Sequence, residues 1–295
     1  MNARIFHIVD VFAETKFTGN QLAVCLNAGD LTDEQMQSID KEMHFSATTF
    51  IASENQPNGG YDVRIFTPQD DVPFAGHPAL GTAYVIKRGI LQEPVEQVIL
   101  NLTVGQIPVT FTYDGGEADI LWMQQKEATF GQQLDPKNMA EVLGLKPADL
   151  DERFPVEEVS TGLPHIVVPL KTLKRVRRIQ VARDKYFALI EQQWAKSILV
   201  FCPETYQPQN QVNVRVFAAY YAVPEDPATG SGNGCLAGYL LKHHYWGSNQ
   251  IDVRSEQGYE IDRPSLLLLQ AQESDGQIAV AVGGKVIPIA KGEFI

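Results

Sequence analysis

The sequence predicts an α+β fold of two similar, pseudo-symmetric domains, each a barrel-like wrap of β-sheet around one central buried helix. Three observations carry that expectation. Short runs rich in Val, Ile, Phe and Thr, bounded by Gly, Pro, Asn and Asp, dominate the chain. Helical periodicity is sparse and does not alternate with the strands as in a doubly wound sheet. Two segments about 150 residues apart resemble one another, the mark of an internal duplication.

The strand candidates are "RIFHIVDVF", "QLAVCL", "TTFIAS", "YDVRIFT" and, near the end, "VIPIA". The first helix is expected in "TDEQMQSIDKEM", where Thr32 and Gln35 form a capping-box pattern and Met36, Ile39 and Met43 recur at helical spacing. Another is expected in "DPKNMAEVLGL", opened by Asp135 with Pro136 at its first position.

The duplicated segments are "VRIFTPQDDVPFAGHPALGTAYVI" (Val63 to Ile86) and "VRVFAAYYAVPEDPATGSGNGCLAGYLL" (Val214 to Leu241). Each opens with a strand carrying Arg then Phe: Arg64 and Phe66, Arg215 and Phe217. Each passes a Val-Pro turn and a Pro- and Gly-bearing junction. Each ends in an uncharged apolar run, which reads as a helix buried on all sides. The two helix starts are expected to face each other across a cleft.

Composition excludes several classes of function. The chain has 295 residues, 44% hydrophobic and 20% charged, which suits a folded protein with substantial cores. A net charge of -12 argues against nucleic acid as a partner. The basic run "KTLKRVRRIQVARDK" from Lys171 reads as the solvated face of a helix or loop. No apolar stretch reaches the roughly eighteen residues of a membrane span. "MNARIFHIVDVF" is not expected to be a signal peptide. The cysteines Cys25, Cys202 and Cys235 lack the spacing of a disulfide framework or zinc site, so a cytoplasmic protein with reduced thiols and no metal is expected.

At the second junction, Asp226 before Pro227 reads in two ways: as a helix N-cap, or as one half of an acid–base site. "ATGSGNG" lacks the endings of the phosphate-binding loops, but free N–H groups at a helix start attract a carboxylate, and Thr229 and Ser231 add hydroxyl donors. At the first junction His77 stands before Pro78. It caps the turn, or it exchanges protons near neutral pH opposite the acid of the other half.

These residues lie in stretches that resemble the PhzF-like isomerases of phenazine biosynthesis, within the diaminopimelate-epimerase-like fold. The resemblance spans essentially the whole chain: "VDVFAETKFTGNQLAV", "AGHPALGTA", "STGLPHIVVPL", "EDPATGSG", "SEQGYEIDRPS" and "VGGKVIPIAKGE". The Gly-His-Pro and Asp-Pro-Ala-Thr-Gly-Ser motifs are specific only in combination. The resemblance implies domains at 1–120 (with about 283–295 returning to it) and 121–282, an active-site cleft between them, a possible homodimer and no cofactor. It implies an isomerase that moves a proton on a small, possibly cyclic, carboxylate-bearing metabolite. His77 and Asp226 match catalytic positions. Gly76, Gly230 and Ser231 match substrate-holding positions, and Asn20, Ser46 and Thr229 join them as expected substrate contacts.

One departure is large. The family usually has Ser-Glu-Thr where this chain reads Ser46, Ala47, Thr48, and that Glu is the main proton shuttle. A methyl group moves no proton. The chain then runs its reaction with Asp226 or His77, or recruits His44 or Glu42, or keeps binding without catalysis, or carries an introduced substitution. Neither His44 nor Glu42 is a convincing replacement on helical geometry. A smaller departure is Gln21, where Pro is usual. Cys235 sits in the apolar run and reads as a small buried hydrophobe. A two-thiol racemase would need a second cysteine at the first junction, which offers Ala75 and Gly76. His7, His165, His243 and His244 lack metal-ligand spacing, and His243-His244 reads as a polar helix end.

Overall fold

The two Val-Arg-x-Phe strands take equivalent places in the two halves, each antiparallel to the strand before it and parallel to a later one. The structure, a computed structural model, describes residues 4–72 and 74–295. The chain divides into two units: one runs to Gln124 and takes up Gly283–Ile295, the other is Gln125–Val282. The boundary expected at 120 falls inside a strand, and the division lies where that strand ends.

The first unit contains β1 (Arg4–Val11), β2 (Asn20–Cys25), α1 (Asp33–Met43), β3 (Thr48–Ile51), β4 (Tyr61–Phe66), α2 (Gly76–Val85), β5 (Gln97–Leu102), β6 (Gly105–Asp114) and β7 (Glu117–Gln124). The second contains β8 (Thr129–Leu134), α3 (Pro136–Val142), β9 (Val156–Ser160), β10 (Pro164–Pro169), α4 (Leu173–Val176), α5 (Arg183–Ile190), β11 (Ser197–Cys202), β12 (Val212–Ala218), β13 (Val223–Asp226), α6 (Gly230–Lys242), β14 (Gln250–Gln257) and β15 (Ser265–Ser274). β16 (Gln277–Gly284) leads back to the first unit, which β17 (Val286–Phe294) joins.

The pairing order repeats. In the first unit β17–β1 and β1–β2 are antiparallel, β2–β3 parallel, β3–β4 antiparallel, β4–β5 parallel and β5–β6 antiparallel. In the second, β8–β9 and β9–β10 are antiparallel, β10–β11 parallel, β11–β12 antiparallel, β12–β14 parallel and β14–β15 antiparallel. Parallel neighbours need a crossover. α1 and the pair α4–α5 supply the first in each unit, α2 and α6 the second. The duplicated arginines also act alike. Arg64 pairs with Asp71 at 2.7 Å and lies over the Phe66 ring. Arg215 pairs with Glu225 at 2.7 Å and lies over the Phe217 ring.

The uncharged runs are the buried helices. Every residue of α2 is buried, and so is every residue of α6 before Lys242. α2 packs against β1, β2, β3, β5, β6, β7 and β17, and α6 against β9, β10, β14 and β15. Glycine makes this closeness possible. A Cβ on Gly81 would lie 2.5 Å from Leu22, and one on Gly238 would lie 2.7 Å from the Ala128 methyl. The glycine-rich look of the second run therefore has a packing cause.

Local signals were accurate where they were short-range. Thr32 accepts from the Gln35 N–H at 3.3 Å while Gln35 Oε1 accepts from the Thr32 N–H at 3.0 Å. Asp135 caps α3 through the Lys137 N–H at 2.8 Å. The basic run forms α4 and the start of α5, with Val176 and Ile179 buried and Lys174, Arg177 and Arg178 exposed. His243 ends α6 and meets the buried Glu157 at 2.7 Å beside Lys242. Pro73 lies outside the described residues, and Val223-Pro224 lies in β13, which pairs with β12.

Candidate active site

α2 starts at Gly76, so His77 is its second residue and Pro78 its third, a position where a missing N–H costs nothing. His77 therefore does not stand ahead of the helix, as its place before Pro78 suggested. The N-cap is Ala75, whose side chain makes no capping bond. Pro78 has no N–H and the Ala79 N–H reaches Ala75 O, so the first-turn donors left over are the N–H groups of Gly76 and His77.

The His77 imidazole closes a ring of polar groups with Asn20, the first residue of β2, and Ser46. Ser46 Oγ donates to Asn20 Oδ1 at 2.9 Å. Asn20 Nδ2 lies 3.4 Å from His77 Nδ1, and Ser46 Oγ lies 3.4 Å from His77 Nε2. An amide N–H can only donate, so Nδ1 is the acceptor and Nε2 carries the proton toward Ser46; this network assigns the tautomer. The chain is turned into β2 by Gly19, at φ +71°, where a Cβ would stand 2.4 Å from Val11 O. Burial pushes the His77 pKa down to about 3. The ring is neutral at pH 7, in contrast to the expectation that it titrates near neutrality, and it offers an N–H rather than a transferable proton.

Ala47 follows Ser46 and precedes β3, with 1% of its surface exposed. α1 ends at Met43, and His44 takes a left-handed conformation at φ 56°. The side chains of Glu42 and His44 are exposed while Ala47 is buried. Neither side chain is buried with position 47.

In the second unit α6 starts at Gly230, with Thr229 as N-cap. The N-cap reading of Asp226 is thereby corrected: the residue is held extended by β13, with Asp226 opposite Val216 of β12. It still adjoins the helix start. Thr229 Oγ1 donates to Asp226 Oδ2 at 2.5 Å. The N–H groups of Gly230, Ser231 and Gly232 belong to the first turn, where no helical carbonyl reaches them. The junction is braced by Gln257, the last residue of β14. Its Nε2 donates to Asp226 O at 2.7 Å and its Oε1 accepts from the Thr229 N–H at 3.1 Å and from Asn233 Nδ2 at 2.9 Å. Ser255 Oγ donates to Asn233 Oδ1 at 2.6 Å.

Behind α6, Cys235 is fully buried, its thiol pushed up to about 12 by burial. Its Sγ donates to Leu163 O at 3.4 Å. His165 Nδ1 lies 3.0 Å from the same carbonyl, and burial lowers its pKa to about 4. The thiol is a packing element six residues into the helix, and the first unit places no cysteine at the α2 start. Among the described residues no group of His, Cys, Asp and Glu has the arrangement of a metal site, and no helix is long and apolar enough to cross a membrane.

Residues 9–292 match the phenazine biosynthesis-like protein family. The chain belongs to that family. An uncharacterized isomerase of Pasteurella multocida is 35% identical over 98% of this chain and 93% of its own length. The trans-2,3-dihydro-3-hydroxyanthranilate isomerase of Pseudomonas aeruginosa is 31% identical over 97% of each chain. The phenazine biosynthesis protein of the PhzF family from Bacillus anthracis has a crystal structure similar to this one, with a TM-score of 0.90, 26% identity and full coverage of both chains. This PhzF-family chain is an isomerase in kind, with the α+β fold of its relatives.

Each unit thus brings its expected residues together: Asn20, Ser46, Ala47, Gly76 and His77 in the first, Asp226, Thr229, Gly230 and Ser231 in the second. Gln257 and Asn233 were missed as members of the second group. Gln257 lies in the "SEQGYEIDRPS" stretch, but its contact with Thr229 spans 28 positions and leaves no local pattern.

Proposed function

We propose that this chain is a cofactor-independent PhzF-type isomerase that moves a proton between carbons of a small, possibly cyclic, carboxylate-bearing metabolite, with Asp226 as the proton-transferring group. The supporting observation is the contrast between the two junctions. His77 is neutral and bonded at both nitrogens, whereas Asp226 is a part-exposed carboxylate oriented by a hydroxyl at 2.5 Å. In this reading the free N–H groups of Gly230 and Ser231 and the hydroxyl of Ser231 hold the metabolite's carboxylate beside Asp226. The 31% identical Pseudomonas aeruginosa enzyme makes a dihydro-hydroxyanthranilate the first substrate to test.

A second reading rests on Ala47. A buried methyl stands where the family resemblance implies the shuttle carboxylate, which favours a protein that binds the metabolite and turns it over poorly. Turnover in deuterated buffer separates the two. The chain as it stands is expected to exchange the substrate's acidic proton with solvent, and Asp226→Asn to abolish exchange while leaving binding intact. Tight binding with no exchange by the unaltered chain would select the binding reading.

A further inference from the structure

The end of α2 opposite His77 opens onto a cavity that the reading above does not use. It measures about 360 Å³ and lies wholly within the first unit. It is lined by His7 of β1, Tyr84 in the last turn of α2, Arg88 in the wide turn that follows, Lys291 of β17 and Lys16 of the β1–β2 loop, over an apolar floor that includes Val9. His7 and Lys291 stand directly opposite each other in the β1–β17 ladder.

Three features set this cavity apart. No acid lines it among the described residues, although the chain carries a net charge of -12. Arg88, Lys16 and Lys291 make no ion pair among the described residues; Arg88 Nη1 donates only to the Tyr84 hydroxyl, at 2.8 Å. His7, half-buried, is held below its ordinary pKa by burial, by Lys291 and by Arg88, in that order. The cations near the imidazole are thus uncompensated, and an ordinary packing role explains neither their convergence nor the open volume. Part of the positive charge complements the carbonyl end of α2, which accounts for Arg88 but not for the lysines brought from β17 and the loop.

We propose that this cavity is a second ligand site, separate from the α2 start, and that it takes a small organic carboxylate with an apolar body. The volume falls within the range of small-molecule sites, and the arrangement has the usual division of labour: an apolar floor for the body, a few polar groups for orientation. Arg88 offers a planar fork and Lys291 a point charge to one carboxylate, with the Tyr84 hydroxyl beside them. Val9 and the ring of His7 cover the body of the ligand.

Calorimetric titration with benzoate, inorganic phosphate and benzyl alcohol tests the site, because each probe supplies charge and apolar body together or one alone. Benzoate is expected to bind, with phosphate and benzyl alcohol at least tenfold weaker. The double variant Arg88→Gln with Lys291→Gln alters exposed side chains, keeps the fold by circular dichroism, and is expected to weaken benzoate at least tenfold. Ser231→Ala with Asp226→Asn, at the other candidate site, is expected to leave in place the part of benzoate binding that the first double variant removes. Benzoate binding that is unchanged in the first double variant, or is lost only in the second, overturns the proposal. So does phosphate binding as tightly as benzoate, or no binding of benzoate at millimolar concentration.

Discussion

Thr229 donates its hydroxyl to Asp226 Oδ2 at 2.5 Å, so the residue at the N-cap position of α6 turns its side chain away from the helix to orient the carboxylate three positions before it. One bond thereby couples the start of a buried helix to the group proposed to move the proton. A hydrogen bond to a charged group contributes about 1.5–3 kcal/mol. Thr229→Val is expected to lower kcat roughly 10- to 100-fold with little change in KM. Steady-state kinetics on the dihydro-hydroxyanthranilate substrate checks this; a loss confined to KM would assign Thr229 to binding alone.

Ala47→Glu is expected to raise turnover. A positioned general acid or base supplies about 100- to 10,000-fold in rate, and position 47 is buried beside Ser46, which touches His77. Burial should also hold the new carboxyl above its ordinary pKa, so the gain should grow as pH rises through the range above about 4.3. Equal turnover by both proteins would show that Asp226 suffices.

His77 and His165 make the fold acid-sensitive. Their pKa values in the folded chain, about 3 and about 4, lie below the ordinary 6.5. Below pH 6.5 the unfolded chain therefore binds protons that the folded chain refuses. Their stabilising contribution is whole above pH 6.5 and is lost as pH falls toward 4 and then 3, with a slope of up to about 1.4 kcal/mol per pH unit for each ring. Urea unfolding at pH 7 and pH 5 should show this loss, and His77→Gln should flatten it. Parallel losses in both proteins would remove His77 from the account.

Gln257→Leu is expected to cost about 1–3 kcal/mol or more, because it strands the Thr229 N–H and the Asn233 amide in a buried place. Gly258→Ala should cost at least as much. Its φ is +81°, and the added Cβ would stand 2.3 Å from Arg263 O and 2.6 Å from Pro227 O. Denaturation midpoints check both, and an unchanged midpoint for Gln257→Leu would mean that the α6 start holds itself.

All three thiols are buried and pushed up to about 12. None is expected to react with a disulfide reagent at pH 8 until denaturant is added, since the thiolate is the nucleophile. Rapid labelling of Cys235 in the folded protein would reopen a role for it.

The duplication was legible because the signals that carry it are local: an arginine and a phenylalanine on one strand, then an uncharged run. The Thr32 and Asp135 caps were legible for the same reason. The start of α6 was not. Asp226-Pro227 has the form of an N-cap and first turn, yet the pairing of Asp226 with Val216 and the reach of Gln257 from β14 hold that stretch extended. Those partners lie 10 and 31 positions away. The state of His77 was hidden likewise, because Asn20 and Ser46 decide its tautomer from 57 and 31 positions away.

The place of β17 governs the order of assembly. β1 pairs with β2 on one side and β17 on the other, and β17 leaves the ribosome after the whole second unit. During synthesis the second unit can complete its sheet while the first still shows a bare row of N–H and C=O groups along β1, which invites a strand from another nascent chain. The closing segment Gly283–Ile295 is in that sense a built-in chaperone strand, and shortening it would be felt first as aggregation of newly made protein.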